Sequence, residues 1–261
     1  MLIDLDAGGR VASWRIFGLE LMEQRSDGNH PFGWGSYAMV PWAGRIKHGR
    51  FFFGGNSFEL PRNFFGQHAI HGTTLDTEWI HLTGGVEWAM IGTRLEDPWP
   101  FGGTATHLMH LTPNSFTQTI TIAAGSQDMP VSLGWHPWFR RQLERGTALE
   151  LDVEMSDAKL FLRGDEDIPT GELVAVPPRP WDDCFVGVGR VSMNWPGALK
   201  IDVIHDCAKM VIFDPPHAIC VEPQSHVSNS FNLDPSGSRL AAGDVIEHTV
   251  QWRWTMASSQ G

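Results

Sequence analysis

The chain has 261 residues and an acidic composition, with 30 Asp and Glu side chains against 19 Lys and Arg and a formal net charge of −11. Nucleic acids and anionic lipid surfaces repel such a charge, so neither nucleic acid nor a membrane is an expected partner, and a neutral small molecule is favoured. The 3 cysteines lack CxxC spacing, which argues against a disulfide framework or a zinc ribbon. The first ten residues contain two acids and no long apolar run, so we expect a cytoplasmic protein.

The first half of the chain consists of short strand-like runs separated by glycine and proline. Predicted strands span residues 11–17 and 19–24, followed by a glycine-rich aromatic segment at 27–37 and then by strand-like runs at 50–60, 78–83, 86–95, 104–111 and 115–123. Glycine pairs at 54–55 and 84–85 and the dipeptide at 113–114 lie between strand-like runs, where a two-residue hairpin turn favours residues that accept positive φ. We expect three consecutive hairpins that form one antiparallel meander.

The second half continues with the same pattern and contains few helical signals. Further strands are predicted at 131–135, 149–155, 159–162, 172–176, 199–205, 209–213, 218–221 and 245–254. Residues 245–254, VIEHTVQWRW, alternate apolar and polar side chains, as a half-buried strand does. Strand signals of one type on both sides of every proline-rich stretch predict an all-β fold: a large antiparallel β-sandwich with few helices, in a single domain covering residues 1–261.

Histidine pairs three residues apart raise the question of a metal site. His68 and His71 form one such pair, and His107 and His110 form the other. On a strand, residues three apart face opposite sides of the sheet, so neither pair is expected to chelate an ion. The sequence therefore predicts no metal site, and nothing in it implies a cofactor.

A carboxylate and an imidazole are placed where proton transfer is favoured. Glu222 ends the apolar run at 218–221 and is followed by Pro223, so its carboxylate is expected at a strand end beside apolar neighbours, which raise its pKa. His136 lies in LGWHPWF, where the following proline predicts a turn that holds the imidazole among aromatic rings. Solvation of a strand end by Glu222 and simple packing of His136 are the structural alternatives.

Several other side chains suit the binding of hydroxyl groups. Arg45 offers a planar fork of donors that fits paired hydroxyls or a carboxylate, although a surface role is also open. Asp182 and Asp183 are adjacent, and since both cannot be buried and ionised without cost, we expect one to face a partner and the other to face water. Candidates for stacking on the apolar face of a sugar are Trp34, Trp42, Trp99 and Trp138.

Taken together, these segments resemble the aldose 1-epimerase (galactose mutarotase) family. The stretches that carry the resemblance are GSYAMVPWAGRIKHGRF at 35–51, QHAIHG at 67–72, LGWHPWF at 133–139, WDDCF at 181–185 and VEPQSHVSNSFN at 221–232. They cover most of the chain in the family's order. The chain is shorter than the dedicated galactose mutarotases and is similar to a short, functionally unassigned branch. The resemblance implies a galactose mutarotase-like supersandwich with its site on the concave face of one sheet.

The resemblance also implies a role for each candidate. Glu222 would be the general base and His136 the general acid at the ring oxygen, with His71 assisting there or positioning the sugar. Arg45 and Asp182 would bind hydroxyls. The expected activity interconverts the α and β anomers of a hexose by acid–base ring opening and closure, without a cofactor. We expect Glu222 and His136 to converge from opposite sides of the hemiacetal, in a monomer or homodimer that binds a small sugar.

Other functions remain open at this point. A phosphorylated hexose is an alternative substrate, because Arg62, Arg140 and Arg141 provide cations that suit a phosphate. A carbohydrate-binding protein that kept the groove and lost the chemistry is a second alternative. A metal-dependent isomerase on the same fold is a third.

Overall fold

The structure, a computed structural model, describes residues 1–26 and 30–256, so residues 27–29 of the glycine-rich segment predicted at 27–37 lie outside it. Strands dominate the described chain. Its helical segments are the one-turn helix α1, Ser230–Leu233, and two single 3-10 turns, Lys47–Gly49 and Asp165–Asp167. No helix in the described ranges is long and apolar enough to cross a membrane.

The strands are short in the first part of the chain and lengthen in the hairpins that follow. They are β1 Leu2–Asp4, β2 Arg10–Ser13, β3 Arg15–Ile16, β4 Leu19–Glu20, β5 Ser36–Met39, β6 Arg45–Ile46, β7 Arg50–Phe53, β8 Asn56–Glu59, β9 Ala69–Ile70, β10 Ile80–Gly84, β11 Trp88–Arg94, β12 Thr104–Thr112 and β13 Ser115–Ala123. The single strand predicted at 11–17 is divided between β2 and β3.

The second part contributes the strands that carry most of the central pairing. They are β14 Met129–Pro130, β15 Gly134–Pro137, β16 Phe139–Arg140, β17 Glu150–Val153, β18 Lys159–Arg163, β19 Pro169–Val174, β20 Asp182–Val186, β21 Val191–Trp195, β22 Leu199–His205, β23 Lys209–Phe213, β24 Ala218–Gln224, β25 Arg239–Leu240 and β26 Val245–Met256. The strands β20 and β21 were not predicted.

Two large antiparallel sheets form the body of the fold. The larger sheet has the order β1-β2-β5-β15-β24-β23-β20-β18-β19, with β16 paired to β24, and the smaller has the order β10-β11-β12-β13-β26-β22-β21-β17. Aromatic side chains join them: Phe139 of the larger sheet contacts Trp252 of the smaller sheet with ring centroids 5.2 Å apart, and Trp14 contacts Phe116 at 5.1 Å. The predicted antiparallel β-sandwich with few helices is confirmed, while the single-domain organisation remains a prediction.

The three predicted hairpins are present, but they do not form one meander. The strands β7 and β8 pair across Gly54 and Gly55, whose φ angles of 56° and 81° are the positive values that the turn requires. This hairpin is a separate two-stranded sheet. The meander is formed by the other two hairpins, β10 to β13, in which the turn after β10 begins at Gly85, whose N–H bonds the carbonyl of Trp88.

Strand β24 occupies the middle of the larger sheet and is buried along its whole length. Its side chains alternate, so that Val221 packs in the core between the sheets while Glu222 points to the opposite face. Loops cover that opposite face, which explains why an unbroken buried run includes a carboxylate. The predicted strand therefore does not end before Pro223 but continues through it to Gln224.

Candidate active site

A cavity of about 360 Å³ opens on the face of the larger sheet that is turned away from the core. Six residues assigned to the site from the sequence line it: Arg45, His71, His136, Trp138, Asp182 and Glu222. They come from segments far apart in the chain, and pairing between neighbouring strands brings them together. Their chemical roles stay predictions, but their convergence on one cavity is observed.

The register of the larger sheet fixes the central row of the site. Tyr37 of β5 pairs with His136 of β15, and Glu222 of β24 pairs with Val211 of β23, which in turn pairs with Cys184 of β20. At the remaining junction, β15 and β16 pair with β24 through Gly134–Gln224 and Phe139–Ile219, and this register places His136 opposite Glu222. Paired residues on neighbouring strands point to the same face, so the imidazole and the carboxylate meet on the cavity floor.

Glu222 and His136 are in direct contact. The Nε2 atom of His136 lies 3.3 Å from Oε1 of Glu222, and the two side chains are only 6% and 3% exposed. The other carboxylate oxygen, Oε2, accepts a hydrogen bond from Nε2 of Gln224 at 3.0 Å. Burial raises the pKa of Glu222 well above its usual range and the charge of Asp182 adds to this, while the Gln224 hydrogen bond and the charge of Arg45 lower it.

His136 is held between two aromatic rings. Its imidazole stacks on Tyr37, with centroids 5.0 Å apart, and on Trp138, at 5.2 Å. Burial lowers the pKa of His136 to about 3, and the positive charge of Arg10 acts in the same direction. These rings fix the plane of the imidazole and leave its Nε2 edge directed at the carboxylate.

Glu222 and His136 therefore share one proton, which can reside on either side chain. Burial disfavours the charged form of each partner, so both Glu222 and His136 tend towards their neutral forms. Moving the shared proton from the carboxyl to the imidazole creates an ion pair at contact distance, and its attraction offsets the cost of burial. The proton belongs to the pair, which can both donate and accept at neighbouring atoms.

His71 is a neutral donor at the wall of the same cavity. Its Nδ1 accepts a hydrogen bond from the backbone N–H of Gly44 at 3.3 Å, so the ring proton is on Nε2. Burial lowers the pKa of His71 well below its usual value, and the charges of His136 and Arg45 lower it further. Its backbone has a φ of 58°, a left-handed value that is strained for a residue other than glycine and is typical of functional sites.

Arg45 is positioned by the segment that follows Glu222 in the chain. The Arg45 backbone N–H donates to Oγ of Ser228 at 2.7 Å, and its carbonyl accepts from the N–H of Asn229 at 2.6 Å. The preceding Gly44 has a φ of 72°, and a Cβ atom there would lie 2.7 Å from that of Ser228. The positive φ and the close approach of Ser228 therefore disfavour any residue other than glycine at position 44.

The polar end of the cavity, opposite Glu222 and His136, is a network of two arginines and the aspartate pair. Asp182 Oδ2 lies 3.8 Å from Nη2 of Arg45 and 3.3 Å from Nη1 of Arg163. Asp183 Oδ1 contacts Nε of Arg163 at 3.0 Å. The Asp182 side chain is 40% exposed and that of Asp183 only 11%, so Asp182 is the more available to a ligand while Asp183 is engaged by Arg163.

The structure corrects the assignments of three tryptophans. Trp34 lies outside the cavity, where its indole is 4% exposed and packs 4.1 Å from the guanidinium of Arg10. Trp42 and Trp99 contact each other within the hydrophobic core. None of these indoles is available to stack on a sugar. Trp138 does line the cavity, but it is 8% exposed and stacks on the ring of His136, so little of its face is left for a ligand.

Sequence reasoning missed several residues that the structure places at the site. Gln224 could have been found, because it lies two residues beyond Glu222 and so on the same face of a strand. Tyr37 is the single tyrosine of the chain. It could have been noticed because it lies within a stretch that carries the family resemblance. Arg163 ends β18, and no local pattern indicates its contacts with Asp182 and Asp183, which depend on tertiary packing.

The two members of each histidine pair lie in different surroundings. His68 contacts the backbone carbonyl of Glu166 while His71 lines the cavity, and His107 is buried in the core while His110 is exposed. A different trio has metal-like spacing: donor atoms of His136, Cys220 and Glu222 lie within 4.8 Å of one another. These are donor types that Zn²⁺ accepts. Burial raises the pKa of the Cys220 thiol well above its usual value, which favours the protonated, weakly ligating form.

The arginines that suggested a phosphate do not reach the cavity. Arg62 contacts Glu59, Arg140 contacts Glu144, and Arg141 contacts Asp214. The two arginines that line the cavity face three aspartates and Glu222 there: Arg45 and Arg163 against Asp167, Asp182 and Asp183. The three arginines therefore no longer support a phosphorylated substrate.

A family profile and one curated relative match the sequence. The sequence profile of the family described as Aldose 1-epimerase matches residues 5–190. The protein YphB of Escherichia coli (strain K12), described as uncharacterized, is 21% identical over 229 residues, covering 78% of each chain.

Solved structures share the fold at low sequence identity. A galactose mutarotase-like protein from Clostridium acetobutylicum superposes with a TM-score of 0.85 at 18% identity, covering 97% of this chain and 91% of the other. The galactose 1-epimerase from Lactobacillus acidophilus NCFM superposes with a TM-score of 0.76 at 16% identity, covering 97% and 90%. The structural likeness establishes the fold, and the profile match over residues 5–190 shows that the chain belongs to the aldose 1-epimerase family.

Proposed function

We propose that the protein is a cofactor-independent aldose 1-epimerase that interconverts the α and β anomers of a hexose. The observation that carries this proposal is the contact of 3.3 Å between His136 Nε2 and Glu222 Oε1 on the floor of a cavity large enough for a sugar. Anomer exchange requires one group that accepts the proton of the anomeric hydroxyl and one that donates a proton to the ring oxygen. A buried pair that shares a proton supplies both.

The contact corrects the expected placement of the two groups. They do not approach a hemiacetal from opposite sides, because nothing fits between atoms 3.3 Å apart. The correction agrees with the chemistry. The anomeric hydroxyl oxygen and the ring oxygen are bonded to the same carbon, so the two groups that serve them must themselves be neighbours. Glu222 and His136 would meet the two oxygens from one side.

The proposed reaction consists of two balanced proton transfers in each direction. With the shared proton on His136, the Glu222 carboxylate accepts the proton of the anomeric hydroxyl while the imidazolium donates its proton to the ring oxygen. The bond between the anomeric carbon and the ring oxygen breaks and leaves an open-chain aldehyde. Rotation of the aldehyde and reversal of both transfers close the ring with the opposite configuration. The neutral Nε2–H of His71 would donate a hydrogen bond to the sugar.

The rest of the cavity would hold the sugar at its far end. Asp182 is on β20, two strands from Glu222 on β24, which is about 10 Å across the sheet at the usual spacing of strands. That span suits one pyranose ring with its hydroxyls. The carboxylate of Asp182 accepts hydrogen bonds and the guanidinium of Arg45 donates them. The ring of Phe64, over which Arg45 lies at 5.1 Å, lines the cavity and offers an apolar surface to the sugar.

The direct test is polarimetry of freshly dissolved aldoses. We expect the protein to accelerate the change in optical rotation of at least one neutral hexose above the buffer rate, and to act more weakly on the corresponding 6-phosphate. A chelator is expected to leave the rate unchanged, because the proposed steps use only protons. If chelation abolishes the rate and Zn²⁺ restores it, the trio of His136, Cys220 and Glu222 is a metal centre. Binding of a sugar by calorimetry without any acceleration would favour the carbohydrate-binding alternative.

The charges around Glu222 predict opposite shifts in the pH profile of two variants. The active pair holds one shared proton, so the rate falls at low pH, where a second proton occupies the Glu222 carboxylate beside the imidazolium, and it falls again at high pH, where the shared proton is lost. Asp182 raises the pKa of Glu222 and Arg45 lowers it. We therefore expect the acid limb of kcat to move to lower pH in Asp182→Asn and to higher pH in Arg45→Gln. Shifts of the same sign in both variants would contradict the proposed role of Glu222.

A further inference from the structure

Gln224 is a buried amide beside Glu222 and His136. The proposed reaction assigns no role to its oxygen atom. Its side chain is 1% exposed and lines the cavity. Its Nε2 donates to Oε2 of Glu222 at 3.0 Å, but its Oε1, also buried, has no hydrogen-bond partner among the described residues. A buried acceptor without a partner is costly and uncommon in folded proteins. The amide therefore offers a vacant acceptor at the wall of the site.

The order of groups around the carboxylate indicates which donor this acceptor receives. His136 contacts Oε1 of Glu222 and Gln224 contacts Oε2, so the imidazole and the amide flank the carboxylate. In an aldose, the anomeric hydroxyl is flanked in the same way, by the ring oxygen on one side and by the hydroxyl on C2 on the other. When the ring oxygen faces His136 and the anomeric hydroxyl faces Glu222, the C2 hydroxyl faces Gln224.

We propose that Gln224 is a specificity-determining residue, whose Oε1 accepts a hydrogen bond from the C2 hydroxyl of the sugar while its Nε2 orients the base. The substrate class is then aldoses with a free C2 hydroxyl, and 2-deoxy aldoses are poor substrates. This inference rests on the proposed function of the Glu222–His136 pair. Its physical basis is that a site built to bond a hydroxyl rejects an analogue without it, because a buried polar group is left unpaired.

The test compares glucose with 2-deoxyglucose in the wild-type protein and in Gln224→Met, which has a similar volume and no amide. Each rate is divided by the spontaneous rate of the same sugar, because removal of the C2 hydroxyl changes intrinsic reactivity. We expect wild-type kcat/KM to be about 10- to 100-fold lower for 2-deoxyglucose. In Gln224→Met the rate on glucose falls and the preference between the two sugars disappears. A preference that persists in the variant overturns the proposal.

A second variant separates the two roles of the amide. Gln224→Glu keeps an acceptor for the C2 hydroxyl, so it retains the preference for glucose. It also replaces the donor to Glu222 by a second carboxyl group, which raises the pKa of Glu222 and moves the acid limb of kcat to higher pH. A purely structural role for Gln224 does not predict the retained preference, whereas the shifted limb reports only how close residue 224 lies to Glu222.

The matched control is Gln118, a second glutamine that is 1% exposed and lies away from the cavity. It is on β13 in the smaller sheet, so Gln118→Met should leave the preference unchanged. Calorimetric affinities of wild type and Gln224→Met for the two sugars separate the two proposals. Discrimination in binding without catalysis refutes the proposed function and retains the role of Gln224. Catalysis without discrimination between the two sugars overturns only the proposed role of Gln224. If the protein shows neither catalysis nor discrimination, both proposals are overturned.

Discussion

Replacement of Glu222 by glutamine is expected to lower kcat by at least about 100-fold, to a rate close to that of buffer. General acid–base groups contribute about 10²- to 10⁴-fold, and the variant keeps the shape of the side chain while it removes the proton acceptor. Gln224 and His136 retain a polar partner at the same position, so the cavity is preserved. The measurement is polarimetry of the hexose with the highest wild-type rate. Retention of more than a tenth of that rate would exclude Glu222 as the base.

Stability measurements separate this loss from a folding defect. The pKa of Glu222 is raised in the folded protein, so the folded state binds its proton more tightly than the unfolded chain does. The free energy of unfolding therefore falls as pH rises above the unfolded pKa, until the folded pKa is passed. Glutamine has no proton to lose. Glu222→Gln should thus be at least as stable as the wild type at neutral pH, as denaturant titrations at pH 5 and pH 8 would show.

Glu20 provides a matched control with the opposite behaviour. It is also buried, but its carboxylate accepts hydrogen bonds from Ser13, Trp14 and Met22. Burial alone would raise its pKa, yet these hydrogen bonds bring it below the usual value, so the carboxylate stabilises the fold above its unfolded pKa. Glu20→Gln places an amide among those donors and should lower the free energy of unfolding by about 1–3 kcal/mol while the activity of the folded fraction is retained.

Replacement of His136 by alanine is the second large expected effect, a loss of about 100-fold or more in kcat. The imidazole lies between the rings of Tyr37 and Trp138, which leave a flat slot when it is removed. Free imidazole fits this slot and can supply the missing acid. We therefore expect added imidazole to increase the rate of His136→Ala by at least about tenfold.

The rescue needs its own control, because imidazole in solution is itself an acid–base catalyst. Glu222→Gln treated with the same imidazole concentration gives the background, since its slot is occupied by His136 and its base is missing. Rescue in His136→Ala above that background supports His136 as the acid. Equal acceleration of both variants would show that the imidazole acts only in solution, and a full rate in His136→Ala without imidazole would rule out the assigned role.

The sequence by itself determined the fold class and most members of the site. Alternating apolar residues and glycine-rich turns predicted the hairpins, because the two faces of a strand and the positive φ of a turn are local properties. His71 and Asp182, by contrast, were assigned to the site through the resemblance of their stretches to the aldose 1-epimerase family. The cost of burying two like charges predicted that the two aspartates differ in their surroundings, but only the structure identified Asp183 as the more enclosed one.

Tertiary structure decided what depends on pairing between distant strands. Trp34 and Trp138 lie in similar aromatic stretches, yet one packs on Arg10 away from the cavity and the other lines it. Likewise, the sequence contained both Glu222 and His136 but not their contact. Their strands are adjacent in the sheet and more than eighty residues apart in the chain. Register between strands is set by the packing of the whole sheet, and no local pattern specifies it.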